Sequence, residues 1–109
     1  MSADDFESIL NDAVSDAMSQ MGETVKKTLS FYLEKTFNLK ENEIPRKTEE
    51  FDTAVNALLG SGASPLEASI LRNLSARIDI NVTMVIKSSE ERFPESVSRA
   101  EELYRSKHS

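Results

Sequence analysis

The chain contains no cysteine, and its 109 residues include a single histidine, His108, beside the C-terminus. Without cysteine there is no disulfide, no zinc–thiolate site, no iron–sulfur cluster and no thiol nucleophile. A Ser-His-Asp arrangement or a histidine-rich metal site would depend on His108, in a segment where chain ends fray. The sequence therefore predicts a protein that is not an enzyme and has no catalytic residues, cofactor or metal.

Long apolar runs are also missing. No stretch approaches the roughly 20 apolar residues that a membrane-spanning helix needs. The first five residues, Met-Ser-Ala-Asp-Asp, carry acids where a signal peptide has basic residues, and no apolar segment follows them. We therefore expect a cytoplasmic protein that does not contact a membrane.

Basic residues are absent from the first quarter of the chain. The net charge is −6, and up to Val25 there are six acids and no lysine or arginine. From Lys26 onward, thirteen acids balance thirteen bases, so the whole excess lies in the first segment. Because an acidic surface is repelled by phosphate backbones, we do not expect nucleic acid as a partner.

Apolar residues in the first segment recur at offsets of three and four, which predicts an amphipathic helix. Its stripe consists of Phe6, Ile9, Leu10, Ala13, Val14, Ala17, Met18 and Met21. The same spacing continues to Phe37, so either two helices meet at Gly22 or one long helix accommodates this glycine at a cost of about 1 kcal/mol. Two helices are the favoured interpretation. Helical structure is predicted most firmly for residues 5–37 and 49–77.

Residues 38–67 contain several signals for the ends and starts of helices. Asn38 is predicted to end the second helix, with Leu39 folded back over it. Residues 40–47 are predicted to form a polar, extended connection, because proline biases the preceding Ile44 away from helical geometry. Thr48 is predicted to cap a third helix. Ser64-Pro65-Leu66-Glu67 then combines a serine cap with a capping-box glutamate at the start of a fourth.

Residues 78–87 are ambiguous, because their apolar residues fit both an alternating strand and a helix. A strand would need a partner, which only a second copy of the chain could supply, so helix is slightly favoured. A last helix is predicted from about Phe93. The expected fold is all-α: one domain over residues 1–109, a small bundle of four to six short amphipathic helices, with a frayed tail at 106–109.

The acidic first helix is the most unusual feature of the sequence, and it gives our candidate interaction surface. A small bundle often leaves one apolar stripe partly uncovered, and such a stripe binds other proteins or a second copy. Against this, an acidic helix face is more commonly a solvated one. The candidate residues are Asp5, Phe6, Ile9, Leu10, Asp12, Asp16 and Met18, with the 78–86 segment as a second candidate. The predicted partner is an unidentified protein or a homodimer.

Two other functions remain open. An apolar small molecule could bind between helices, which requires an internal pocket lined by Phe31, Phe37, Phe51 and leucines. A helix-turn-helix nucleic-acid binder could use residues 49–59 and 65–78. It would have only Arg72 and Arg77 as bases in that pair, so it ranks below the others.

Several short strings also suggest a family. They are Gly22–Lys27, Tyr32–Lys35, Phe37–Leu39, Glu43–Pro45, Glu49–Phe51, Leu58–Ala63, Leu66–Glu67 and Ile70–Leu74. Over residues 21 to about 78 the chain resembles an archaeal family of unknown function, the Nitrosopumilus output domain. The resemblance implies a non-catalytic regulatory or signalling module, and it carries over no catalytic residue.

Overall fold

The computed structural model describes residues 3–88 and 90–108, which form helices joined by short turns. The α-helices are α1 (Ala3–Gln20), α2 (Glu23–Phe37), α3 (Thr48–Leu59), α4 (Ala63–Arg77), α5 (Val82–Val85) and α6 (Phe93–His108). Two 3₁₀ helices span Glu41–Arg46 and Gly60–Gly62. No strand occurs in these described ranges, and the prediction of a small all-α bundle is confirmed.

The core lies where α1 packs lengthwise on α4, which also contacts α3, α5 and α6. Leu10 and Val14 of α1 and Ile70 and Leu74 of α4 are fully buried. Each such side chain contributes about 1.5–3 kcal/mol when it leaves water. The apolar stripe predicted for the first helix is therefore the part of the sequence that holds the bundle together.

The turn between α1 and α2 confirms that two helices meet at Gly22. Its φ of 109° is a conformation that side chains rarely adopt, so glycine suits this position. Two hydrogen bonds stabilise the turn: Lys26 Nζ donates to Ser15 Oγ at 2.8 Å and to Ser19 Oγ at 3.1 Å. These contacts tie the first turn of α2 to the last turns of α1.

The end of α2 also follows the sequence prediction. Asn38 takes the left-handed conformation with φ 52°, and the Leu39 N–H donates to the Leu33 carbonyl at 3.0 Å. Leu39 is buried, as expected for a residue folded back over the helix end.

The prediction of an extended connection over residues 40–47 is wrong. Residues Glu41–Arg46 form a 3₁₀ helix that contains Pro45, and Ile44 is fully buried against the core. The Glu43 carboxylate accepts a hydrogen bond from the Lys40 N–H at 3.0 Å, which stabilises the first turn. Burial of Ile44 and this bond outweigh the local bias that proline imposes. Thr48 is the first residue of α3 rather than its cap.

Residues 78–87 contain no strand. Ile78 and Val85 enter the core, and Asn81 caps the one-turn helix α5 by accepting the Thr83 N–H at 2.9 Å. The alternating apolar pattern of residues 78–87 therefore corresponds to a turn, the short helix α5 and an extended segment after it. Helix α6 begins at Phe93, as predicted, and continues to His108, so residues 106–108 are helical rather than frayed. Ser109 lies outside the described residues.

Candidate interaction surface

Three residues of the predicted surface on α1 belong to the core. Phe6, Leu10 and Met18 are buried, and the Phe6 ring lies 5.7 Å from that of Tyr104 on α6. Ile9 is half-buried and packs against the same core. The prediction that this stripe is left partly uncovered is therefore corrected at these three residues: α1 packs mainly on α4, and Tyr104 of α6 contacts Phe6.

The acids of that prediction lie on the other side of α1. Asp12 and Asp16 are exposed and Asp5 is half-buried. Asp16 forms an ion pair with Arg77 at the end of α4, and Glu7 forms one with Arg46 at 3.4 Å. Bases from later in the sequence therefore neutralise part of the acidic excess, which makes the face less negative than its own segment suggests.

Apolar exposure is concentrated on α2 and on the turn before it, which contains Met21. Met21, Val25, Phe31 and Tyr32 are large, exposed hydrophobic residues, and the fifth such residue among those described is Met84. Helix α2 buries only Leu29 and Leu33 of its 15 residues. An exposed side chain of this kind is ordinary when it stands alone, but a cluster on one helix indicates a contact surface.

A groove of about 340 Å³ lies between α2 and the end of α3. Its walls are side chains from both helices, and it is an open groove rather than an enclosed cavity. Seven residues line it: Thr24, Val25, Thr28, Leu29, Tyr32, Leu58 and Leu59. None of these seven is charged.

A second groove, of about 200 Å³, lies where the end of α1 meets the start of α4. It is lined by Ala17, Gln20, Met21, Gly62, Pro65, Leu66 and Ser69, which are also uncharged. The two grooves adjoin at the α3–α4 turn, because Leu59 of the first and Gly62 of the second are three residues apart and a side chain added at Gly62 would meet that of Leu59. We call these fourteen residues the uncharged surface.

The absence of charge is unusual in a chain whose residues are 29% charged. It has a local origin in the sequence, because residues 53–66 contain no Asp, Glu, Lys or Arg. On α2, the lysines and glutamates fall on another side of the helix, where Lys27 and Glu34 line a separate cleft with Phe31. Sequence reasoning missed this surface, although the 14-residue uncharged stretch was a visible signal.

A third cleft, of about 300 Å³, differs in that its lining includes two carboxyl groups, those of Glu67 and Glu91. Glu67 was predicted to complete a capping box with Ser64, but α4 begins one residue earlier, at Ala63. Its carboxyl group instead lies beside Asp52 of α3, and its Oε2 atom is buried without a hydrogen-bond partner among the described residues. Burial first, then a hydrogen bond to the Asp52 carboxylate and its negative charge, raise the pKa of Glu67 to about 9.

Glu91 has the opposite environment in the same cleft. Arg99 donates to both of its carboxylate oxygens at 2.5 Å, and Ser96 Oγ donates at 2.8 Å. These hydrogen bonds, those of Arg99 above all, lower the pKa of Glu91 to about 2. Arg99 also donates to the Val85 carbonyl, so this ion pair fastens the α5–α6 connection. Because the hydrogen-bond partners of Glu91 and Arg99 all belong to α5, α6 or their connection, we interpret this ion pair as a structural contact.

The structure does not bring together the particular residues that the sequence suggested for the two alternative functions. Phe31 is exposed, Phe51 is buried against Phe93, and Phe37 lines a shallow cleft with Glu49, so the three do not share an internal pocket. For a helix-turn-helix binder, α4 would have to be exposed, but it is the central helix of the bundle. Its Arg77 is already paired with Asp16.

No protein-family model matches the chain, and neither a curated protein nor a solved structure matches it. The resemblance to the Nitrosopumilus output domain therefore stays a prediction. Among the described helices, none is long and apolar enough to cross a membrane. Among the described side chains, those of residues 5–88 and 90–107, no three Asp or Glu carboxylates are grouped so as to hold a metal ion.

Proposed function

We propose that this chain is a non-catalytic interaction module that binds a helical segment of a protein through the uncharged surface. The observation that carries the proposal is the conjunction of two adjoining grooves without a charged lining residue and three exposed hydrophobic side chains, Met21, Val25 and Tyr32. Burying such a surface releases water at no cost in charge desolvation.

The chemistry of the surface indicates the class of partner. A charged side chain placed in these grooves would lose its hydration without gaining a counter-charge, so the partner must present an uncharged apolar face. An amphipathic helix fits, because its apolar stripe lies in a hydrophobic groove as a row of side chains at offsets of three and four. A regulatory or signalling role and a cytoplasmic location, both expected from the sequence, belong to the same proposal.

An apolar small molecule is the second candidate. The first groove reaches the lower end of the volumes of about 300–1,000 Å³ that ligand sites have. It is open on one side, however, and would leave much of a small molecule in water. A helix covers an open groove better than a compact ligand does.

A displayed library of helical peptides, selected against the immobilised chain, tests the proposal. We expect selected peptides to share an uncharged apolar stripe, to bind a Met84→Glu variant normally and to lose binding to Tyr32→Glu. Peptides that bind both variants equally well would contradict the assignment of the surface, as would selection of basic peptides that need the α1 acids.

A further inference from the structure

Two carboxyl groups meet where α3 packs on α4. Glu67 lies beside Asp52, and the Asp52 side chain is only 15% exposed. The Glu67 Oε2 atom is buried and accepts no hydrogen bond from the described residues. Because an ionised carboxylate can only accept hydrogen bonds, two of them cannot bond to one another. The contact becomes attractive when one of the two groups carries a proton.

The surrounding donors determine which group carries that proton. Asp52 Oδ1 accepts a hydrogen bond from Asn56 Nδ2 at 3.0 Å, and Asp52 Oδ2 lies 3.6 Å from the Arg92 guanidinium. Both oxygens of Asp52 therefore face donors, whereas Glu67 Oε2 faces none among the described residues. Glu67 is accordingly the donor of the pair, and Asp52 is its acceptor.

We propose that this carboxyl pair is a pH-sensitive switch, in which the Glu67 side chain moves from Asp52 into the third cleft when its proton is lost. An ionised Glu67 beside Asp52 would combine like-charge repulsion with a buried oxygen that has no donor, and both costs favour its departure. Glu67 already lines the cleft, whose volume of about 300 Å³ leaves room for a carboxylate and water. The cleft shares no lining residue with the uncharged surface, so the switch goes beyond the proposed function.

The charged groups around the pair already have partners. Arg92 contacts the pair and Glu91 lines the cleft, and their own partners are Glu49 on α3 and Glu95 and Arg99 on α6. The Glu49 carboxylate raises the pKa of Arg92, and hydrogen bonds from Arg99 lower that of Glu91 to about 2. Helix α5 has no charged residue, and α1 has none that lines the cleft. Arg92, Arg99 and Glu91 therefore keep their charges while Glu67 titrates.

Carbon-13 NMR of the side-chain carboxyl groups between about pH 4 and 10 tests the switch. We expect Glu67 to titrate near 9, far above its ordinary pKa of 4.5. The amides of Ile86, Ser88 and Phe93, which line the cleft opposite Glu67, should shift with the same midpoint.

Two variants on α3 separate the pair from the rest of the helix. Asp52→Asn should lower the midpoint of Glu67 by at least about one pH unit, a ten-fold weaker hold on the proton, because an amide can donate to the ionised carboxylate. Glu50→Gln is the matched control, because Glu50 is exposed on the same helix and should leave the midpoint unchanged. A Glu67 midpoint near 4.5, or one that Asp52→Asn does not lower, would overturn the pair.

Glu67→Gln tests the movement itself. Its amide can donate to Asp52 at every pH, so the amides of Ile86, Ser88 and Phe93 should lose their pH dependence. Amides that stay unchanged while Glu67 titrates, or that titrate equally in Glu67→Gln, would overturn the movement into the cleft. Circular dichroism should show intact helices across the midpoint. Loss of the helical signal there would also overturn the switch, because the change would then be unfolding rather than a local rearrangement.

Discussion

The outer face of α1 and the uncharged surface are neighbours on the molecule, yet they leave opposite kinds of residue in water. On α1 the apolar side chains, such as Leu10, are buried and the acids remain outside. On α2 the balance is reversed, since two leucines are buried while Val25 and Tyr32 stay exposed. One face therefore resembles an ordinary surface helix, and the other retains apolar area that a contact would cover.

The comparison shows that a stretch with unusual composition need not form an unusual surface in the folded chain. The acidic excess of the first segment is conspicuous in composition, but Arg46 and Arg77 reach across from other elements to pair with two of its acids. The uncharged stretch of residues 53–66 is visible in the sequence, but by itself it does not indicate a surface. It becomes significant only when α3 meets α2 and the two form a groove.

The largest expected effect is on stability, and it contrasts a residue from each region. Leu10→Ala should lower the free energy of unfolding by about 2–5 kcal/mol, because it leaves a cavity in the core. Tyr32→Ala should cost less than about 1 kcal/mol in the monomer, because its side chain is half in water. Urea denaturation at low protein concentration measures both. Equal losses would contradict the division between a structural α1 stripe and a free α2 face.

A second variant sharpens the contrast between exposed and buried acids. Glu67 has a pKa raised to about 9, so its proton is bound more tightly in the folded chain than in the unfolded one. Stability is therefore greatest below its ordinary pKa of 4.5 and falls as the pH rises from there towards 9. Glu67→Gln should remove this loss and stabilise the chain at pH 8.

Because Glu67 keeps part of its side chain in water, we expect a gain of only about 1 kcal/mol at pH 8. The exposed Asp12 provides the control, since Asp12→Asn should leave stability nearly unchanged. Thermal unfolding from pH 5 to 9 makes the comparison. If Glu67→Gln unfolds with the same pH dependence as the wild type, the carboxyl group does not hold its proton in the way described.

Salt distinguishes the two faces as docking sites. A helix bound to the uncharged surface meets no charged lining residue, so its dissociation constant should change at most a few-fold between about 0.05 and 0.5 M salt. A partner bound by the acids of α1 would be clearly weakened by the same salt. Binding of a selected peptide at several ionic strengths measures the difference. Marked weakening by salt would contradict contact through an uncharged face.

The smallest effect concerns the acids of α1. Replacing Asp5, Asp12 and Asp16 with asparagine should change the dissociation constant of a selected peptide less than about three-fold, because these acids do not line the uncharged surface. The loss of the Asp16–Arg77 ion pair should cost at most about 1 kcal/mol of stability, as for other surface pairs. Clearly weaker peptide binding would return the acidic face to consideration.

Much of the fold could be predicted from periodicity and turn residues, and the failures have identifiable causes. The break at Gly22, the cap at Asn38 and the start of α6 at Phe93 are local features, and they are confirmed. The 3₁₀ helix around Ile44 was missed because burial, which depends on distant residues, overrode the local effect of Pro45.

The candidate surface was less predictable for the same reason. Amphipathic spacing identifies an apolar stripe but not whether another helix covers it. The stripe of α1 contains Leu10 and Met18 and is covered by the bundle, whereas Val25 and Tyr32 continue a similar pattern and are not. Likewise, Glu67 has the sequence position of a capping residue, and only the packing of α3 on α4 places it beside Asp52.

The central claim is that the uncharged surface, and not the acidic face of α1, is where this chain makes contact. An NMR titration of the isotope-labelled chain with a selected helical peptide tests it most directly, because every amide reports its own environment. We predict peptide-dependent shifts over residues 21–36 and 58–66, little change over residues 5–16, and loss of these shifts in Tyr32→Glu. Shifts concentrated in residues 5–16, or unaltered shifts in that variant, would contradict it.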